Sequence, residues 1–128
     1  MNRALNELLR ATSRSFYLTL RVLPAAVRPQ IGLAYLLART TDTIADTDVL
    51  PVEQRLAALG KLRERIGGQG SAPLNFGEFA KHQGATAEQM LLEKAEESLA
   101  VLPTLSPADL KLVREVLTTI TSGQELDL

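Results

Sequence analysis

Apolar residues fall on steps of three and four along most of the chain, and that periodicity leaves little besides packed helices as a fold. From Pro51 they run Val52, Leu56, Leu59, Leu62 and Ile66, and Gly67-Gly68-Gln69-Gly70 closes the pattern. Proline suits a first helical turn and glycine a stop, so the spacing predicts a helix over 51–66. A second is predicted over 86–102. Thr86 with Gln89 three residues on reads as a capping box, Leu91, Leu92, Ala95, Leu99 and Leu102 form the stripe, and Pro103 is the stop. A third, over 107–122, follows Ser106, with Asp109 where the helix dipole favours an anion and with Leu110, Val113, Leu117 and Ile120 as its stripe. The N-terminal third reads as helices over 2–11 and 16–22, separated by the hydroxyl-rich break Thr12-Ser13-Arg14-Ser15, and a long helix over 25–47. Pro29 predicts a kink or a late start in that long helix, because proline removes a donor and clashes one turn back. Residues 75–83 read as one or two helical turns. No segment alternates apolar and polar residues as a strand does, so an all-α domain is expected over 1–128.

Composition narrows the chemistry. The 128 residues, 45 % hydrophobic and 23 % charged, fit one globular domain. Fourteen Lys and Arg against 15 Asp and Glu give a net charge of −1, which argues against a nucleic-acid partner. There is no cysteine, so thiolate metal sites and cysteine nucleophiles are excluded, and a single histidine, His82, leaves no histidine cluster. No apolar run approaches the roughly 20 residues of a membrane span, and the first residues lack the apolar core of a signal peptide. A soluble, reduced, cytoplasmic protein is expected, whose chemistry rests on carboxylates, arginine, hydroxyls and hard metal ions.

The segment from Tyr35 to Asp46 is the most informative. At about 100° per residue, Tyr35, Arg39, Asp42 and Asp46 share a stripe roughly 60° wide. Leu33, Leu36, Leu37 and Ile44 around it are apolar, so the helix should be largely buried. Two carboxylates one turn apart on such a helix repel unless a positive charge sits with them. Arg39 is one candidate; a divalent cation that binds phosphates is the other. The alternative is an exposed face on which Arg39 pairs locally with Asp42. Ser13-Arg14-Ser15 stands at a helix start, where hydroxyls and free N–H groups suit an anion, or where a serine simply caps the helix. Arg3, Arg10, Arg14, Arg21 and Arg28 face only Glu7 within the first 28 residues, as a phosphate-facing wall, an acidic-lipid surface or a solvated stripe.

Taken together, Ser13-Arg14-Ser15-Phe16, Leu23-Pro24, Arg28, Tyr35 and Arg39-Thr-Thr-Asp42-Thr-Ile-Ala-Asp46 resemble the N-terminal part of the squalene and phytoene synthases. That family begins with Ser-x-Ser-Phe and continues with Tyr-x-x-x-Arg-x-x-Asp-x-x-x-Asp. The acidic motif, opening on Asp-Thr, is closest to squalene-synthase-like members. Gly123-Gln-Glu-Leu-Asp-Leu128 resembles the Gly-Met-x-x-Asp-Leu stretch that precedes the family's second acidic motif, so the likeness runs over about 6–128.

The resemblance implies the N-terminal part of an isoprenoid-synthase-type helical bundle, and a prenyltransferase that joins two prenyl diphosphates of the farnesyl diphosphate class head to head. Asp42 and Asp46 would hold Mg²⁺ and, with Arg39, form the catalytic set. Arg39, Ser13 and Ser15 would contact diphosphate oxygens, and Tyr35 would line the pocket. Leu33, Leu36, Leu37 and Phe16 would help shield the allylic cation from water. NADPH would serve as reductant if squalene is the product. Ala45 stands where some squalene synthases carry a further acid, so metal binding rests on two carboxylates here. The second acidic motif is expected beyond residue 128, which makes the chain read as the truncated N-terminal half of such a domain, inactive alone. Self-association, binding of the missing C-terminal half and peripheral membrane contact are the partner expectations. The reading from a different class is a non-catalytic helical module derived from the same family, serving as scaffold or partner-binding surface.

Overall fold

The computed structural model describes residues 3–128, and helices account for nearly all of its regular structure. In chain order they are α1 (Arg3–Thr12), α2 (Arg14–Arg21), α3 (Arg28–Ala45), α4 (Val52–Ile66), α5 (Gly77–Ala80), α6 (Thr86–Glu93), α7 (Ala95–Val101) and α8 (Pro107–Asp127), with a 3₁₀ turn at Leu102–Thr104. The expected start of the first helix at Asn2 lies outside the described residues. None of these helices is long and apolar enough to cross a membrane.

Helix α3 organises the rest. It packs against α1, α2, α4, α6, α7 and α8. Leu33, Leu37 and Ile44 enter the larger core beside Leu59, Leu62 and Ile66 of α4, Leu99 of α7, and Val113 and Leu117 of α8. Leu36 points the other way, into a smaller core with Leu5, Leu8 and Leu9 of α1, Leu20 of α2 and Leu91 of α6. A helix that feeds two cores must be apolar nearly all round, which is what its sequence shows. Its three buried threonines, and Thr47 just past its end, need no partner from elsewhere. Thr40, Thr41, Thr43 and Thr47 donate to the carbonyls of Leu36, Ala38, Arg39 and Thr43 at 2.6–2.8 Å. Closing each hydroxyl on a carbonyl three or four residues back lets polar side chains enter a dry interior without an orphaned donor.

The local signals in the sequence have mixed fates. Pro29 sits in the first turn of α3, so the late start is realised rather than a kink. Ser13 caps α2 and Ser106 caps α8, accepting from Phe16 N and Asp109 N. The helix predicted over 86–102 is divided: Lys94, at φ −102° and ψ 16°, separates α6 from α7. The expected capping box at Thr86 does not form, because Ala85 is the cap residue and makes no side-chain bond there. Helix α8 runs past the predicted 122, and its buried stripe is Val113, Leu117 and Thr121 rather than one ending on Ile120. At the end of α4, Gly68 takes φ +78°, a region L side chains rarely adopt. A Cβ there would also meet the Arg114 guanidinium at 2.8 Å, while Arg114 Nε caps the Ile66 carbonyl at 2.8 Å.

Candidate functional site

The site begins on the last two turns of α3. Asp42 is half-buried, whereas Asp46, the residue that ends the helix, is exposed. Neither carboxylate has an ion-pair partner among the described residues. Burial pushes the Asp42 carboxyl above the ordinary carboxylate range, and the charge of Asp46 pushes it the same way. The Arg39 charge and a hydrogen bond from Gln124 pull it back only in part.

Arg39 does not make the local pair with Asp42 that its spacing allowed. Its Nη2 reaches α6 and meets Glu88 Oε1 at 3.2 Å, with both side chains about two-thirds buried at 34 % and 29 % exposure. Its Nε is buried without a hydrogen-bond partner among the described residues. Arg39 is therefore engaged with a third carboxylate rather than with Asp42 or Asp46.

Tyr35, two turns before Asp42, stacks on Phe16 of α2 with ring centroids 4.1 Å apart and planes 11° from parallel. This contact ties the Ser13–Phe16 run to the site helix. Ser13 Oγ accepts from Phe16 N at 3.2 Å, so its capping role is realised, and Ser15 is exposed at the start of α2. Neither serine bonds to Arg39, Asp42 or Asp46. Leu33, Leu36 and Leu37 are fully buried in the two cores and leave no face free to line a pocket. Of the apolar wall expected around the site, Phe16 and Tyr35 remain.

The arginines of the first 28 residues do not form one wall. Arg3 meets Glu7 at 3.5 Å in an exposed pair. Arg10 and Arg21 flank the Tyr17 ring at 6.0 and 5.9 Å. Arg28 donates to the carbonyls of Leu23 and Arg21 at 2.7 Å each and holds the turn before α3.

Two contributors were not read from the sequence. Glu88 comes from 49 residues away to hold Arg39. Gln124, 82 residues away on α8, donates from Nε2 to Asp42 Oδ1. The signal for Gln124 was present: it continues the stripe Val113, Leu117, Thr121 by three residues, so a polar side chain falls on the buried face of α8.

Hard oxygen donors suit a hard cation. The donor set here is two carboxylates without an ion-pair partner and an amide whose buried Oε1 has no hydrogen-bond partner, both among the described residues. These residues fit a divalent ion of the magnesium type, although no group of three or more His, Cys, Asp or Glu converges to hold a metal among the described residues.

The family model for squalene/phytoene synthase matches residues 9–128. The solved structure of the squalene synthase TcSQS in complex with a ligand superposes with a TM-score of 0.79 at 24 % identity, which shows a shared fold. That likeness covers 96 % of this chain and 34 % of the other, so the chain spans about a third of the length of the protein it matches. No curated protein gives a significant match. With the family model covering nearly all of it, the chain belongs to the squalene/phytoene synthase family.

Proposed function

We propose that the chain provides the part of a head-to-head prenyltransferase that binds and ionises an allylic diphosphate of the farnesyl class. The observation that carries this reading is the pair Asp42 and Asp46, one turn apart at the end of α3 and without a basic partner, while the adjacent arginine is spent on Glu88. Repulsion between an exposed acid and a half-buried one is unfavourable, and a ligand that neutralises it accounts for its presence. Asp42 and Asp46 would hold Mg²⁺, which when bound concentrates positive charge on the leaving diphosphate.

The remaining work falls to the chain's own side chains. Glu88 orients the Arg39 guanidinium, whose planar fork suits phosphoryl oxygens. The Ser13 oxygen accepts from the backbone, which leaves its O–H free to donate to an anion; Ser15 stands with it at the start of α2. The Phe16–Tyr35 stack offers an aromatic surface to a developing allylic cation and excludes water from one side of it.

The test is calorimetric titration of a non-hydrolysable farnesyl diphosphate analogue with and without Mg²⁺. Mg²⁺ is expected to raise affinity about tenfold or more, about 1.4 kcal/mol. Asp42→Asn is expected to abolish that gain. Equal binding with and without Mg²⁺ removes the metal role and favours the non-catalytic helical module.

A further inference from the structure

We infer that Gln124 is a third oxygen ligand, and the gate, of the cation site at Asp42 and Asp46. The inference rests on the metal reading of that acid pair. The Gln124 amide has two ends with different fates: Nε2 donates to Asp42 Oδ1, while Oε1 is buried and accepts nothing. An amide has nearly the same shape after a half-turn about its last side-chain bond, and that half-turn exchanges donor and acceptor. In the orientation described, the NH₂ group quiets a carboxylate that has no cation of its own. In the opposite orientation a carbonyl oxygen faces Asp42. Two acceptors face each other stably only with a positive ion between them. A cation therefore converts the unpartnered oxygen into a ligand and releases the NH₂ group from Asp42.

This contact is not what docks α8. Helix α8 is already docked on α3 through Val113 and Leu117 packed with Leu33 and Leu37. Its end is held separately by Glu125, which meets Arg63 of α4 at 3.3 Å. Gln124 is thus placed beside Asp42 by neighbours that do not need its amide. The donor set gains an uncharged oxygen from a third turn of helix, which adds a ligand without adding repulsion to a site already carrying two negative charges.

The test uses the 128-residue chain and Mn²⁺, whose binding is read directly by electron paramagnetic resonance. Gln124→Met keeps an unbranched side chain of similar length and removes the hard oxygen. It is expected to weaken Mn²⁺ binding about tenfold with little change in metal-free melting temperature. Gln124→Glu, which keeps an oxygen, is expected to restore binding, and Asp42→Asn to abolish it. Wild-type affinity in Gln124→Met alongside loss in Asp42→Asn overturns the role of Gln124 and leaves the acid-pair reading intact. No saturable binding to wild type, or undiminished binding to Asp42→Asn, overturns the acid-pair reading and this inference with it. Should Gln124→Met not fold, the side-chain NH₂ resonances of Gln124 in ¹⁵N-labelled wild type decide. Their displacement on adding Mg²⁺ supports the rotation, and their constancy at saturating Mg²⁺ overturns it.

Discussion

Two half-buried carboxylates in this molecule are treated in opposite ways. Glu96 at the start of α7 receives both Nη atoms of Arg65 at 2.6 Å each, and the Leu74 backbone N–H at 2.9 Å. The Arg65 guanidinium also reaches the Ala72 carbonyl at 2.9 Å, so a single ion pair fastens the loop after α4 to α7. The hydrogen bonds from Arg65 hold the Glu96 carboxyl below its ordinary value, against the effect of burial. Asp42 receives one bond from a neutral amide and lies near another acid, and its carboxyl is pushed up. The first arrangement is complete within the chain; the second is left open. A fold able to satisfy Glu96 so fully leaves Asp42 unpaired, and the proposed cation site rests on that difference.

The largest expected effect separates the two by stability. Glu96→Ala leaves Arg65 and Leu74 N without their acceptor. It should cost about 1–2 kcal/mol in denaturant unfolding, a range lowered for the exposure of the Glu96 side chain. Asp42→Asn removes an uncompensated charge yet keeps an acceptor for Gln124, so its unfolding midpoint should stay at or above wild type. A loss from Asp42→Asn matching that from Glu96→Ala would break the comparison.

The second effect comes from adding the missing charge. At a free Mg²⁺ concentration ten times its dissociation constant, binding to the folded state alone stabilises by about 1.4 kcal/mol. Wild type and Glu96→Ala should both show that rise in thermal melting, by about 4–6 °C for a chain of this size. Asp42→Asn should show none.

The smallest effect is the response to pH, and here the two sites should differ in sign. The pKa of Glu96 is depressed in the fold. Its contribution to stability is present above the ordinary glutamate value and is lost as pH falls through the folded value. The pKa of Asp42 is raised. Its contribution is present below the ordinary aspartate value and is lost as pH rises through the folded value. Unfolding measured between about pH 3 and pH 7, across the carboxylate range, should therefore show a shallower acid loss in Glu96→Gln than in wild type. In Asp42→Asn the decline toward neutrality should disappear. Parallel profiles for the two variants would mean that the sites differ less than their geometry indicates.

Local order was legible in the sequence and distant pairing was not. The stripe Tyr35, Arg39, Asp42 and Asp46 follows from helical spacing alone, and so do the proline and glycine boundaries of α3 and α4. Ser13 and Ser106 were readable as caps because a cap bonds within three residues. The Arg39–Glu88 and Gln124–Asp42 contacts join residues 49 and 82 apart, and helical periodicity carries no information about which helices become neighbours. Spacing favoured Arg39 with Asp42 because both lie on one helix, but α6 brings Glu88 within reach of the guanidinium. The interruption at Lys94 was equally hidden, because Leu91, Leu92, Ala95 and Leu99 keep their spacing through it and no glycine or proline marks the site.

The threonines that close on the carbonyls of α3 have a consequence for how the molecule breathes. With six helices packed around it and its buried hydroxyls turned inward on its own backbone, the middle of α3 should rarely open a few peptide groups at a time. Its central amide protons should reach solvent only when the whole domain comes apart, and exchange with the slowest rates in the chain. The acid pair stands at the edge of this protected block, where Asp46 ends the helix and the turn through Thr47 and Val49 begins. That turn is held at both ends by Arg55, which donates from Nη1 to the Ala45 carbonyl at 3.0 Å and from Nε to the Leu50 carbonyl at 3.1 Å. A cation bound by the proposed acid pair should therefore leave its mark on hydrogen exchange in residues 46–50, with the helix that carries Asp42 unchanged beneath it.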